Sequence, residues 1–315
     1  MTIPAAMNRR LHCFLAGIAV FAFVFAATAA PRAEHVFIFV VDGGKPAVIK
    51  ESEMPVLKKF AADGACTWEA RTISPSVTLP AITSMLTGVT LAKHKLSWNS
   101  WRPDRGLVTV PTVFSEAKKA GFSTAMFVGK EKFRHLLLPD SVDEFDFNSP
   151  LSGQVTKTME GETRPMSEGT VLSGTVAKDA AAYIGKKKPG LCFIHFTDTD
   201  DVGHKYGWGS PEQKRAFNDI DGAIGVVFRA IQDAGLAGNS VLILTADHGG
   251  HARTHGGNTP DDMIIPWIVW GKGVRKGFEI PAPVNICDTA ATALWLLDVP
   301  QPANLDGKPV SAAFE

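Results

Sequence analysis

Acidic residues and histidines follow three apolar stretches of this sequence, each with the length of a buried strand. Carboxylate oxygens and imidazole nitrogens together suit zinc or manganese better than calcium. Each such residue alone is equally typical of a helix cap or a turn, but the carboxyl ends of parallel strands meet at one edge of a sheet. The sequence therefore predicts a shared metal centre. Its candidate ligands are Asp42, Asp200, His204, Asp247, His248 and either His251 or His255.

The segments that must position these residues alternate between strand-like and helix-like patterns. Short apolar runs bounded by turn residues indicate strands, and longer segments with helical apolar spacing indicate helices. Predicted strands cover 36–41, 124–128, 191–196, 241–244 and 264–270, and predicted helices cover 54–62, 79–86, 112–120, 171–187, 212–234 and 288–297. We therefore expect an α/β fold with a mainly parallel central sheet flanked by helices.

The N-terminus has the pattern of an export signal. Arg9 and Arg10 precede an apolar run over residues 11–26, and an A-x-A cleavage pattern ends at Ala29. The alternative is an uncleaved anchor, because the run is almost long enough to cross a bilayer of about 30 Å. We expect residues 1–30 to be removed, which leaves one domain over 31–315, periplasmic or secreted and without stable membrane association.

Residues 139–166 interrupt the alternation of strands and helices. The segment is polar, rich in Ser, Thr, Gly and acidic residues, and has too few apolar residues for a core of its own. We interpret it as a cap or insertion over the site, where it would influence specificity.

Charge and cysteine content restrict the function further. The 32 basic and 32 acidic side chains give a formal net charge of zero, so we expect no binding to nucleic-acid polymers. Attraction of an anionic substrate must then be local, and bound metal ions would supply it. Cys13 lies in the predicted signal. Cys66, Cys192 and Cys287 have no C-x-x-C spacing, and either one disulfide or three free thiols would fit.

Six segments in order resemble the alkaline phosphatase superfamily and, within it, the nucleotide pyrophosphatase/phosphodiesterase branch. They are residues 40–43, 76–80, 94–99, 198–204, 245–249 and 255–260. Each segment alone is a weak signal, but together they extend over nearly all of the mature chain. The resemblance implies an alkaline-phosphatase-like fold.

The resemblance also implies two divalent metal ions, which the donor set suggests are zinc, with manganese as the alternative. The implied ligands are Asp42, Thr78, Asp247 and His248 for one ion, and Asp200, His204 and His255 for the other. His255 is preferred over His251 because its neighbours match the family pattern.

Thr78 is the nucleophile that the resemblance implies. Metal coordination would lower the pKa of its hydroxyl, and its place before Leu79-Pro80 predicts a helix N-cap whose free N–H groups favour an anion. The alternative is a threonine that only caps the helix.

Three further residues are candidates for contact with substrate. Asn99 falls where the family has an asparagine that donates to a phosphate oxygen, although it would also suit a turn. Lys130 and Lys132 resemble a Lys-x-Lys segment of phosphonoacetate hydrolase and phosphomutase relatives, and could bind a phosphate or carboxylate. Exposed lysines at a helix start are the simpler alternative.

The resemblance predicts a hydrolase of small phosphate esters, of the phosphodiesterase or nucleotide pyrophosphatase type, that acts through a phospho-threonine intermediate. A phosphomonoesterase or phosphonate hydrolase would use the same core. A phosphomutase and a non-catalytic metal-binding module are the remaining alternatives. Sulfatase activity is disfavoured, because Thr78 replaces the modified Cys or Ser and the matching arginine is missing.

Overall fold

The computed structural model describes residues 1–2, 32–147, 172–281 and 283–315. The strands are β1 (His35–Val41), β2 (Ala65–Arg71), β3 (Thr124–Val128), β4 (Glu144–Asp146), β5 (Leu191–Phe196), β6 (Ser240–Ala246), β7 (Ile264–Gly271) and β8 (Phe278–Glu279). The α-helices are α1 (Pro46–Glu51), α2 (Pro55–Asp63), α3 (Thr78–Thr87), α4 (Leu91–His94), α5 (Val113–Lys119), α6 (Ser173–Lys187), α7 (Asp198–Tyr206), α8 (Pro211–Asp233), α9 (Pro260–Met263) and α10 (Asp288–Leu296). Short 3-10 helices cover Pro103–Arg105, Glu131–Leu136, Ala237–Asn239 and Ser311–Ala313.

The strands form one eight-stranded sheet in the order β4-β3-β5-β1-β6-β7-β2-β8. The five strands from β4 to β6 run parallel to one another, whereas β7 is antiparallel to both β6 and β2. Helices cover both faces, which is why the central strands are continuously apolar. The expected α/β fold with a mainly parallel sheet is therefore confirmed.

Side chains of β1 alternate between two hydrophobic cores, one on each face of the sheet. Val36, Ile38 and Val40 belong to the core that also contains side chains of α3, α5 and α10. Phe37 and Phe39 belong to the opposite core, with side chains of α2, α6 and α8. This period of two follows from the pleat of a strand, and it makes β1 the centre of both cores.

Local sequence explains where several helices begin. The side chain of Thr112 accepts a hydrogen bond from the Ser115 amide in a capping box before α5. The side chain of Ser210 accepts a hydrogen bond from the Gln213 amide and so caps α8, and Pro211 occupies the first turn, where no intrahelical N–H bond is lost. The helices that carry these capping residues begin within one or two residues of the positions predicted from the sequence.

Helix α7 and strand β4 are two elements that the sequence pattern does not predict. The first turn of α7 is acidic rather than apolar, with Asp198, Asp200 and Asp201, so the helix lacks an apolar stripe. Strand β4 lies inside the segment interpreted as a cap, yet it pairs with β3 at the edge of the sheet. The remainder of that segment from residue 148 onward lies outside the described residues.

The structure tests the expectations about the cysteines and the export signal only in part. Cys66, Cys192 and Cys287 are free thiols, and Cys13 lies outside the described residues. So does the predicted export signal, apart from residues 1–2. Within the described ranges, no helix combines the length and apolar character needed to cross a membrane.

Replacement of Phe39 by alanine should test the role of β1 as the centre of the fold. Phe39 is fully buried and stacks on Phe196 at a ring-centroid distance of 6.4 Å. The Phe39→Ala variant should lose about 3–5 kcal/mol of unfolding free energy, because a large cavity replaces the ring. Urea denaturation measures the change. Val226→Ala, at a residue that is 40% exposed, is the control and should stay within about 0.5 kcal/mol of wild type. Equal shifts in both variants would contradict the assignment.

Candidate metal centre

Three adjacent strands end beside the candidate metal ligands. Val41, the last residue of β1, is in register with Phe196 of β5 and Ala246 of β6. Asp42 and Asp247 follow their strands directly, and Asp200 follows β5 within the first turn of α7. The parallel register therefore places three carboxylates at the same level of the sheet.

The candidate ligands form two groups of three. Asp42, Asp247 and His248 are all fully buried, and one ligand atom of each lies within 4.8 Å of the others. Asp200, His204 and His255 form the second group under the same distance limit. In the second group Asp200 and His204 are one helical turn apart on α7, so both project from one face. These groupings coincide with the two metal sites that the family resemblance implies.

The three histidines of these groups share one hydrogen-bonding arrangement. In each ring Nδ1 contacts a main-chain carbonyl oxygen, namely Arg253 O at 3.0 Å for His204, Gly249 O at 2.8 Å for His248 and Ser76 O at 2.8 Å for His255. Because a carbonyl can only accept, Nδ1 carries a proton in each ring, and Nε2 is the atom left to coordinate a metal ion. Burial and the neighbouring His248 also lower the pKa of His255 to about 4, which favours the neutral ring.

His251 lies outside both groups. Its Nδ1 is 2.7 Å from Asp262 Oδ1, and its side chain is 42% exposed. The same Asp262 carboxylate accepts a hydrogen bond from the Gly257 amide, two residues after His255. His251 thus helps to shape the loop that carries His255, and the structure groups His255 with the other candidate ligands.

The buried carboxylates retain oxygen atoms that fit bound cations. Oδ1 of Asp42, Oδ1 of Asp200 and Oδ2 of Asp247 are buried and have no hydrogen-bond partner among the described residues, whereas Oδ2 of Asp42 is paired with Lys130. Leaving such atoms unpaired costs free energy unless a cation coordinates them. Oxygen atoms from carboxylates together with Nε2 atoms from imidazoles therefore fit two divalent ions at this place.

Electrostatics in this centre is governed by crowded negative charge. Burial raises the pKa of Asp42, but the cationic and imidazole groups around it outweigh burial and hold that pKa well below its usual range. Burial and the charge of Asp42 raise the pKa of Asp247 to about 7. Burial lowers the pKa of His248, yet the surrounding carboxylates raise it to about 9. The centre therefore favours any bound positive charge.

Thr78 is the first residue of α3 and points at the first ligand group. Its Oγ1 is 3.4 Å from His248 Nε2, and the residue is 1% exposed. The expected N-cap position is wrong by one residue, because Val77 is already the extended residue that precedes the helix. The expected free N–H groups of the first turn are largely engaged, because the Leu79 amide donates to Asn99 Oδ1, Pro80 has no N–H and the Ala81 amide donates to Val77 O.

Asn99 acts as a cap for α3 from a distant part of the chain. Its Oδ1 accepts hydrogen bonds from the Leu79 amide and from Lys132 Nζ, both at 2.9 Å. Two donors on Oδ1 leave the Nδ2–H₂ group as the donor side of the amide. The structure therefore places Asn99 and Lys132 together beside Thr78. Burial and the charge of Lys130 lower the pKa of Lys132 to about 8.

Lys130 lies between the two ligand groups. Its Nζ is 2.6 Å from Asp42 Oδ2 and 2.6 Å from Asp200 Oδ2, and its side chain is 8% exposed. Burial lowers the pKa of Lys130, but the two carboxylates raise it well above its usual value. An exposed lysine at a helix start, the simpler alternative, does not describe this residue.

Two residues at the centre have no signal among the predicted motifs. His195 is fully buried in β5, with Nε2 3.2 Å from Asp42 Oδ2. Trp208 donates from Nε1 to Gly43 O at 3.0 Å, and its ring lies 5.3 Å from that of His204. The sequence distinguishes His195 only as a histidine within an otherwise apolar strand, and Trp208 only by the glycines on either side of it.

Comparison with known proteins identifies related families. Residues 36–260 match the family model described as type I phosphodiesterase/nucleotide pyrophosphatase. Among curated proteins, arylsulfatase K of Danio rerio is 35% identical over 94 residues, or 28% of this chain and 18% of the relative. A phosphopentomutase of Alkaliphilus oremlandii is 31% identical over 120 residues, or 38% of this chain and 28% of the relative. The chain thus spans less than a third of either relative.

Solved structures have the same fold. Murine ectonucleotide pyrophosphatase/phosphodiesterase 5, determined as an inactive form in complex with AMP, superposes with a TM-score of 0.71 at 14% identity, covering 90% of this chain and 100% of that one. A phosphonate monoester hydrolase from Silicibacter pomeroyi has a TM-score of 0.63 at 15% identity, covering 88% and 75%. These neighbours confirm the alkaline-phosphatase-like fold.

Removal of one carboxylate from each group should test the metal centre. We expect wild type to bind two divalent ions per chain, and Asp247→Asn and Asp200→Asn each to lose one, because an amide oxygen is a weaker ligand than a carboxylate. Zinc titration calorimetry and elemental analysis measure the count. Asp261→Asn, at an exposed carboxylate paired with Lys45, is the control and should keep both ions. Unchanged stoichiometry in both ligand variants would contradict the assignment.

Proposed function

Because the chain belongs to the type I phosphodiesterase/nucleotide pyrophosphatase family, we propose that it hydrolyses small phosphate diesters or pyrophosphates through a phospho-Thr78 intermediate. Two zinc ions would be held by the two ligand groups, with manganese as the alternative metal. The ester class comes from the family, whereas the arrangement of residues supports the mechanism.

The observation that carries this proposal is the position of Thr78. A hydroxyl at the first residue of α3 lies 3.4 Å from a ligand nitrogen of His248, and both side chains are buried. A nucleophile must lie within reach of both the activating group and the donors that will receive negative charge. Thr78 meets the first requirement through His248, and Asn99 and Lys132, which meet beside the first turn of α3, can supply donors for the second.

The bound cations, when present, would lower the pKa of the Thr78 hydroxyl and offset negative charge at the reacting phosphate. In the first step Thr78 Oγ1 gives its proton to solvent and forms a bond to phosphorus, while the bond to the leaving group breaks and that group takes up a proton from solvent. In the second step water cleaves the phospho-threonine and restores the hydroxyl. The Nδ2 group of Asn99 would donate to a non-bridging oxygen in both steps.

Three expectations about the surroundings complete the proposal. We expect a small ester rather than a polyanionic polymer, because the formal net charge of the chain is zero. The A-x-A pattern supports export to the periplasm or the medium, with the signal removed. Neither nucleic-acid polymers nor membranes are then stable partners.

Replacement of Thr78 by alanine tests the proposed nucleophile. Thr78→Ala should lower kcat/KM by about 10⁴-fold or more, the order found when a nucleophile is removed. Thr78→Ser retains a hydroxyl and should keep part of the activity, and chelation with EDTA should abolish it. Hydrolysis of bis-p-nitrophenyl phosphate and p-nitrophenyl phosphate measures these rates. The proposed mechanism is wrong if Thr78→Ala remains as active as wild type while both metal ions stay bound.

Phosphomonoester hydrolysis is a second candidate, favoured by Lys130 and Lys132. Both ammonium groups lie at the centre, one on Asp42 and Asp200 and one on Asn99. A monoester carries two negative charges near neutral pH and a diester carries one, so each additional cation favours the monoester more strongly.

Lys132→Met separates these two candidates. If the protein is a monoesterase, this variant should lower kcat/KM for p-nitrophenyl phosphate by about 10–100-fold, as loss of one charge-assisted contact predicts, and should affect the diester much less. Lys214→Met, which removes an exposed lysine paired with Glu51, should change neither rate. Equal losses on both esters would argue against the monoesterase candidate and leave the diesterase proposal in place.

A further inference from the structure

We propose that His135 is a positioning residue that holds Asn99 and Lys132 against the start of α3. The residue lies outside the metal centre, and the inference deepens the proposed function by assigning what fixes the phosphate-contacting side of the site. It rests on the proposed role of Asn99, but its structural consequence can be measured without any substrate.

The hydrogen bonds of His135 define one tautomer. The ring is fully buried, and Nδ1 lies 2.6 Å from Gly106 O, an atom that can only accept. Nε2 lies 3.1 Å from Trp98 Nε1 and 3.0 Å from the Arg102 amide, two groups that can only donate. The ring is therefore the neutral Nδ1–H form, with Nε2 accepting from both donors.

These bonds fasten one segment of chain, residues 97–108, which we call the Asn99 loop. Besides the side-chain contacts, the Val108 amide donates to His135 O at 2.8 Å. The rings of Trp98 and Trp101 pack against the imidazole at 5.3 and 4.5 Å between centroids. His135 thus contacts the Asn99 loop near both of its ends, on either side of an otherwise exposed stretch.

The same imidazole is connected to the other side of the site. His135 and Lys132 lie one turn apart on the 3-10 helix Glu131–Leu136. Lys132 Nζ and the Leu79 amide meet on Oδ1 of Asn99, which belongs to the loop that His135 fastens. His135 therefore fixes both the loop that presents Asn99 and the helix that presents Lys132, relative to Thr78.

The Leu79 amide provides a direct measure of this arrangement. It lies in the first turn of α3, where no carbonyl within the helix accepts from it, and its partner is Asn99 Oδ1. Its protection from hydrogen exchange therefore reports the position of Asn99. A phenylalanine at position 135 has a similar ring size but cannot accept from Trp98 Nε1 or the Arg102 amide.

The experiment compares His135→Phe, His135→Gln, Asn99→Ala and the double variant His135→Phe/Asn99→Ala. Glutamine keeps an acceptor and a donor on one side chain, so His135→Gln should keep part of the wild-type protection from exchange at the Leu79 amide. Thr289→Val is the matched control, because it leaves another buried indole, that of Trp267, without its acceptor, far along the chain in α10. Readouts are hydrogen exchange at the Leu79 amide by NMR, bound zinc, and kcat and KM for the best ester.

We expect His135→Phe and Asn99→Ala each to accelerate exchange at Leu79 by about tenfold, the order that one hydrogen bond predicts. Thr289→Val should leave exchange at the Leu79 amide unchanged, even if it lowers Tm by as much as His135→Phe does. All variants should keep two zinc ions. In catalysis, His135→Phe should lower kcat substantially, and its effect should nearly vanish in the Asn99→Ala background, because both changes remove the same contact.

Exchange at Leu79 that stays at the wild-type rate in His135→Phe would overturn the proposal. So would fully additive losses of kcat in the double variant, since these would show that His135 acts independently of Asn99. If wild type hydrolyses none of the esters, the proposed function fails, while the exchange measurement still decides whether His135 positions Asn99.

Discussion

Three buried carboxylates that lie side by side are the constraint on which the rest of this site depends. Ligand atoms of Asp42 and Asp247 lie within 4.8 Å of each other. At such a separation two unit charges repel by about 3–4 kcal/mol at an effective dielectric constant of about 20. The sheet imposes this proximity, because β1, β5 and β6 are neighbours in register. Compensating positive charge must therefore be part of the native centre.

The surrounding residues are arranged to provide and tolerate that charge. Lys130 contacts carboxylates from both ligand groups, and His195 approaches Asp42 from within the sheet. Main-chain carbonyls hold the Nδ1 atoms of His204, His248 and His255, so that Nε2 is the nitrogen atom that faces the carboxylates in each ring. Two divalent ions would complete this balance, and the same positive field would attract an anionic ester.

The other side of the site is built from a helix start rather than from the sheet. Helix α3 has no local side-chain cap, and Asn99 supplies one from 20 residues away. One amide group therefore caps the helix through Oδ1 and can present Nδ2 to substrate. Such a dual contact makes the reactive region sensitive to the placement of the Asn99 loop, since movement of that loop would disturb Thr78 and the phosphate donor together.

The sequence by itself determined the fold class, the main strands and helices, and the residue types of the centre. Buried strands such as β1 and β5 can be predicted because their apolar runs end abruptly near acidic residues. Helices with caps or apolar stripes can be predicted from patterns that are equally local. The order of the six family segments was likewise enough to name the candidate ligands and Thr78. Helix α7 escaped prediction because its stabilisation comes from aspartates in its first turn and from packing, not from an apolar stripe.

Only the tertiary structure decided which side chains meet. His195 and Lys130 reach the centre because β5 lies next to β1 and β3 lies next to β5. No local sequence pattern encodes this order of strands. His251 and His255 have similar surroundings in sequence, but the loop directs one toward Asp262 and the other toward Asp200. His135 and Asn99 are connected through contacts between distant segments. Sequence patterns record local preferences, whereas a site of this kind is made by long-range packing, and that is the physical reason for the division.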